Sequence, residues 1–181
     1  MSVDVDEFWQ LVNEAIKLAG NPDHSITAPD LIARRAIELL ATRQPEDIAA
    51  AQGVLDELMA RAAQPGLHAA ACLMNGDGSD EAFTGFRGWL ILQGHRTFEN
   101  ALSDPDSLAY RADVRENAVF GGGLRSDRAL TIPFEAYRKA TGTELPGGPR
   151  RHPAPVPGRD YDDDAMWERF PALAEVNLGE S

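Results

Sequence analysis

Residues 79–93, SDEAFTGFRGWLILQ, constrain the fold more than any other stretch of the chain. Ala82, Phe83, Phe86, Trp89, Leu90 and Gln93 recur at steps of three and four. Side chains at that spacing share one face of an α-helix, and a face so rich in aromatic and aliphatic groups belongs in a core. Ser79 precedes the helix as its N-cap. Asp80, Thr84 and Arg87 form a second stripe, polar and on one side. Gly85 and Gly88 lie three apart on another face. Two glycines inside a helix cost roughly 2 kcal/mol together. That cost predicts a close approach to the helix backbone, by another helix in preference to a ligand.

The rest of the chain is punctuated as a series of helices. Residues 4–19 place Phe8, Leu11, Val12, Ala15 and Ala19 on one face, with Asp4 or Asp6 as cap. A second helix runs from Thr27, its cap, to about 42, with Pro29 in its first turn. A third starts at Pro45 and extends to about 63; Pro65-Gly66 then breaks the chain, and a short helix follows at 67–74. NGDGSD (75–80) is a turn and not a calcium loop, because the sixth position from Asp77 is Ala82 and the twelfth is Gly88, where glycine and glutamate are needed. Gly94 ends or kinks the central helix, and helical chemistry resumes over 95–102. Asp104-Pro105 has the cap-then-proline pattern of another start.

Residues 110–130 are ambiguous. Gly121–Gly123 follow no strand and precede no GKS or GKT, so a flexible loop fits them better than a phosphate cradle. A helix over 131–139 ends at Gly142. From 143 to 160 proline and glycine dominate, which excludes a regular helix or central strand. The final stretch carries Tyr161, Met166, Trp167, Phe170 and Leu173, too much apolar surface to leave in water at about 25 cal/mol per Å². The expectation is therefore an all-α protein. A single compact multi-helix domain (1–142) is followed by an extended Pro/Gly-rich segment and an acidic-aromatic tail (143–181) that docks back on it.

Charge and cysteine narrow the function classes. The 181 residues carry 29 acidic and 17 basic side chains, a net charge of -12. Such a chain is not a nonspecific nucleic-acid binder, which needs basic surface to displace counterions, nor does it dock on anionic membrane. A basic protein partner, or plain solubility, suits it. Cys72 is the single cysteine, so no intrachain disulfide forms. It lies in the apolar run 68–74 and reads as a small hydrophobe; His68, four residues earlier, lacks the third group that would orient a nucleophilic pair. No apolar run approaches the roughly 20 residues that span a bilayer. The acidic start MSVDVDEFW lacks the basic-then-apolar order of a secretory signal. The cytoplasm is the expected compartment.

FRGWLILQGHRTFENALSDPDSLA (86–109) resembles the uncharacterised bacterial family catalogued as domain of unknown function 4240. The resemblance rests on Asp6-Glu7-Phe8-Trp9 near the start and on a middle motif occupied by Ser79, Asp80, Phe83, Phe86, Arg87, Trp89, Leu90, Gln93 and Gly94. Arg96 and Phe98 follow, and Asp104, Pro105, Asp106 and Leu108 match the ending. It spans roughly 4–140 and departs mildly at Glu81, where a second aspartate is common. The resemblance implies an all-helical domain and brings no assigned activity, cofactor or catalytic residue.

The residues themselves nominate Asp80, Arg87, Gln93, His95 and Arg96, with Glu99, as candidate ligand-binding groups. Arg87 has a fork suited to carboxylate or phosphate, and equally to a buried ion pair with an acid on another helix. Arg96 and Glu99, three apart, are placed to pair on the surface. His95 offers an imidazole, whose charge changes in the physiological range. Trp9 and Trp89 read as core groups. No cofactor motif is present, and His24, His68 and His152 are scattered without metal-ligand spacing. Two readings follow. One is a noncatalytic protein-interaction or regulatory module with an acidic surface. The other is a small-molecule-binding protein or enzyme with a polar pocket around Asp80 and Arg87.

Overall fold

The computed structural model describes residues 3–20, 28–149, 152 and 163–179. Thr27, expected to cap the second helix, and Tyr161 lie outside the described residues, as does most of the 143–160 segment. Among the described residues the regular structure is all helix, with no strand. Helix α1 spans Val5–Leu18, α2 Ala28–Leu40, α3 Pro45–Arg61, α4 Pro65–Asn75, α5 Asp80–Ile91 and α6 His95–Ser103. A 3-10 turn at Pro105–Tyr110 leads into α7, Ala112–Phe120, and another at Arg128–Thr131 leads into α8, Ile132–Thr141. Two short helices close the chain, α9 at Asp163–Arg169 and α10 at Pro171–Leu178.

The helix starts follow their local chemistry. Asp4, not Asp6, caps α1: its carboxylate accepts the Glu7 amide at 2.9 Å and the Glu7 carboxylate accepts the Asp4 amide at 3.3 Å. That reciprocal pair satisfies two otherwise free donors. Ser79 caps α5 through the Ala82 amide at 3.2 Å. Pro65 opens α4 where the sequence reading had it break the chain. Its missing N–H is one that a first helical turn leaves unbonded in any case. The ambiguous stretch contains α7, of which only Asp113, Val114 and Asn117 turn inward. With so few buried positions it has no apolar periodicity to read.

The core gathers around α5. Helix α1 packs on α2, and α2 and α3 both pack on α8. Helix α5 contacts α3, α4, α6 and the 128–131 turn, and its predicted stripe of Ala82, Phe83, Phe86, Trp89 and Leu90 is buried. The C-terminal helices pack against α4, α7 and the 105–110 turn, burying Met166, Phe170 and Leu173 and half-burying Trp167. Phe170 precedes α10 and offers no capping oxygen. Asp106 supplies one from a distance, accepting the amides of Ala172 at 3.0 Å and Leu173 at 2.8 Å. A carboxylate there also meets the positive end of the helix dipole.

The glycine face of α5 is met by a 3-10 turn and its lead-in, not by a helix. Ser126 donates its amide to the Gly85 carbonyl at 2.9 Å. Its own carbonyl lies where a Cβ on Gly88 would need to sit, with Ala129 and Leu130 close beside it. The close approach inferred from the glycine pair is thus real, and the approaching element is the 125–130 chain.

Candidate functional site

The polar stripe of α5 is a hydrogen-bond relay ending on Arg87. Thr84 Oγ1 donates to the Asp80 backbone carbonyl at 2.7 Å and accepts from Arg87 Nη2 at 3.2 Å. Arg87 is 1% exposed. Its Nη1 donates to the Met59 carbonyl at 2.7 Å and its Nη2 to the His152 carbonyl at 2.6 Å. The guanidinium also lies 5.1 Å from the centre of the Phe83 ring.

An acid on another helix was expected opposite Arg87, and backbone carbonyls stand there instead. The reason lies in the end of α3. The last four carbonyls of a helix have no partner within it. Leu58 is served by the Ala62 amide at 3.0 Å and Ala60 by the Ala63 amide at 3.1 Å. Arg61 is served by the Gln64 side chain at 3.1 Å. Met59 is served by Arg87. Arg87 therefore completes the C-terminal cap of α3, and its positive charge faces the negative end of that helix dipole. Burial pushes its guanidinium down to about 10, which leaves it protonated at neutral pH. The His152 ring lies 3.6 Å from Asp56 of α3, so this one residue bridges α3 and α5.

Asp80 is exposed at the start of α5, whereas Arg87 is buried. The other three predicted residues do come together. Gln93, His95 and Arg96 line a shallow depression of about 460 Å³ around Gly94, with Asn13 and Glu99 on its walls. Gln93 is half-buried and anchored at both ends, through Nε2 to the Trp89 carbonyl at 2.9 Å and through Oε1, which accepts from Arg111 at 2.6 Å. The His95 ring stacks on Trp9 with centres 5.1 Å apart and lies 3.6 Å from Glu99. Glu99 pairs with Arg61 of α3 at 2.8 Å and not with Arg96, which is exposed. The surface pair read from the 96–99 spacing is thus replaced by one between helices. The Arg61 guanidinium spans two helices, whereas Arg96 points to solvent.

Two asparagines and an arginine carry more of the polar structure than the sequence reading credited. Arg111 holds Gln93 and binds the buried Asp113 through Nε at 3.0 Å. Asn117, buried on α7, donates to the Met74 carbonyl and accepts the Gly123 amide, both at 2.9 Å. Asn75 exchanges a pair of bonds with the backbone of Leu124 at 2.8 and 3.2 Å. Together they pin the exit of the glycine turn, whose three glycines all have positive φ, and Leu124 is buried. An asparagine four residues before a glycine run was the available signal.

Cys72 is half-buried against the core. Its sulfur stands 3.9 and 4.0 Å from the two ring nitrogens of His68, whose Nε2 is 3.1 Å from the Gly78 carbonyl. Near-equal distances mean that the sulfur addresses neither nitrogen directly. Among the described residues no group of three or more His, Cys, Asp and Glu side chains could hold a metal ion. No helix among them is long and apolar enough to cross a membrane.

The model of the family described as "Protein of unknown function (DUF4240)" matches residues 3–139, and the chain belongs to that family. No curated protein and no solved structure matches it.

Proposed function

We propose that this DUF4240 protein is a noncatalytic protein-interaction or regulatory module whose contact face is the outer side of α7 and its neighbours. The observation that carries the reading is the exposure of Tyr110, Val119 and Phe120, at 74%, 73% and 77%. Val119 and Phe120 are consecutive at the end of a short helix. Leu178, on the contacting helix α10, is also exposed. Single apolar residues on a surface are ordinary, but two large ones side by side in the chain, as Val119 and Phe120 are, offer a contact to another surface.

The groups that would serve chemistry are engaged elsewhere. Arg87 caps α3, Gln93 is bonded to Arg111 and Trp89, and Glu99 is paired with Arg61. In a pocket around Asp80 and Arg87, the alternative reading, both terminal nitrogens of Arg87 are already committed to the carbonyls of Met59 and His152. The net charge of -12 favours a partner whose apolar anchor is surrounded by basic groups. A single cysteine with no intrachain disulfide suits a reducing compartment, and the reading places the module in the cytoplasm.

The test compares affinity capture by the wild type and by the Val119→Ser/Phe120→Ser double variant, followed by hydrogen exchange of the purified complex. The expected result is a basic partner retained by the wild type, lost by the variant, and protecting residues 110–120. Equal capture by both proteins, or protection confined to other elements, would contradict the proposal.

A further inference from the structure

Positive charge is unevenly placed on this acidic chain. The groove between α2 and α8 is lined by Arg34, Arg128, Arg138 and Lys139 against two carboxylates, Glu38 and Glu135. These residues come from α2, the 128–131 turn and the first and last turns of α8, so the fold gathers them from distant parts of the sequence. Elsewhere the described depressions are balanced or acidic. The one beside it sets Arg125 and Arg128 against Asp30, Asp127 and Glu135.

The groove is partly pre-positioned. Arg128 Nε is held by Asp30 at 3.1 Å and its Nη1 reaches Glu135 at 3.5 Å, leaving Nη2 without a hydrogen bond among the described residues. Glu135 is steadied by Thr131 at 2.8 Å. Glu38 is occupied by Arg35 at 2.8 Å. Both carboxylates are therefore already matched by cations. Arg138 and Lys139 are exposed, and neither makes an ion pair or side-chain hydrogen bond among the described residues. Their position at a helix C-terminus suits the dipole, and Arg34 and Arg128 are held together beside them by Asp30, at 3.2 and 3.1 Å.

We infer that the α2–α8 groove binds a small polyanion of the organic phosphate or pyrophosphate class. Guanidinium forks match phosphate oxygens two at a time, and an ammonium adds a point charge. The volume of about 370 Å³ is that of a small-ligand site. A nucleic acid is disfavoured because it would extend past the groove over the rest of an acidic surface, beyond the roughly 8 Å over which salt screens charge.

The test is a titration of isotope-labelled protein with inorganic pyrophosphate, followed by amide chemical shifts. Shifts should saturate and be confined to residues 34–38 and 128–139. The Arg138→Ala/Lys139→Ala double variant should bind about tenfold more weakly or worse, the loss expected for charge-assisted hydrogen bonds. The Lys17→Ala/Arg43→Ala variant removes the same charge outside the groove and should bind like the wild type. All four side chains are exposed, so both variants should keep the wild-type fold, which thermal unfolding checks. Shifts that never saturate, shifts centred elsewhere, or equal weakening in both variants would overturn the inference.

Discussion

The carbonyl of Ser126 fills the space that a Cβ on Gly88 would need. The same residue donates its amide to Gly85, one helical turn earlier, at 2.9 Å. Backbone lies directly on backbone at this crossing, and the two glycines are what permit it.

Gly88→Ala should therefore destabilise the protein by about 2–3 kcal/mol, because the obstacle is main chain and cannot swing aside. Gly85→Ala meets Asp127 Oδ1 at 3.0 Å and Arg125 Cβ at 3.1 Å, a side-chain tip and a side-chain root, and should cost less. Gly53, in the middle of α3, has nothing within 4 Å of its absent Cβ. Gly53→Ala should stabilise by roughly 0.5–1 kcal/mol through helix propensity alone. Urea unfolding of the three variants checks the order; equal effects at 53 and 88 would refute the crossing.

Asn117→Ala should leave the Met74 carbonyl and the Gly123 amide without their buried partner, at about 1–3 kcal/mol for each group that water cannot reach. The damage should be local. Hydrogen exchange at Gly123 and Leu124 should quicken while α1 and α2 keep their protection. Loss of protection across all helices alike would mean that the clamp supports the whole domain and not the turn.

The Asp77 carboxyl should titrate below the ordinary aspartate range. The backbone amide of Ser79, at 2.8 Å, is the main cause, with the Ser79 hydroxyl adding to it. A depressed carboxyl stabilises the fold above the usual carboxylate range and loses that contribution as pH falls through its own lower value. Carboxyl carbon shifts followed from pH 6 downward test this. A midpoint at or above that of an unstructured aspartate would show that the turn does not hold the carboxylate.

What could be read from the residues depended on whether a feature was local. The α5 stripe, the Ser79 cap and the need for a close neighbour at Gly85 and Gly88 follow from short-range helix geometry, and each is present. Which element comes close was not readable, because residues 125–131 form a 3-10 turn too short to show periodicity. Arg87 illustrates the same limit. Its burial was foreseeable from its place beside an apolar stripe, but its partner is an unpaired carbonyl at the end of another helix, a group that no residue type announces. Helix α7 stayed hidden because Val119 and Phe120 face outward while Val114 faces inward. Of the candidate site residues, Gln93, His95 and Arg96 meet because they flank one turn, and Asp80 does not join them.

The central claim is that the most recognisable segment of this chain, α5, is a scaffold, with Arg87 as its clamp and the contact face elsewhere. Urea unfolding of Arg87→Ala tests it most directly. The substitution leaves the buried Met59 carbonyl without a donor and takes from the half-buried His152 carbonyl its shorter bond, and the predicted loss is about 3–5 kcal/mol with an unchanged slope. Arg87→Lys, which keeps the charge but has one donor group for two carbonyls, should fall between it and the wild type and remains measurable if Arg87→Ala fails to fold. An Arg87→Ala protein that unfolds at the wild-type midpoint, yet loses a small molecule seen on the wild type by native mass spectrometry, would contradict the account and make Arg87 a ligand-binding residue.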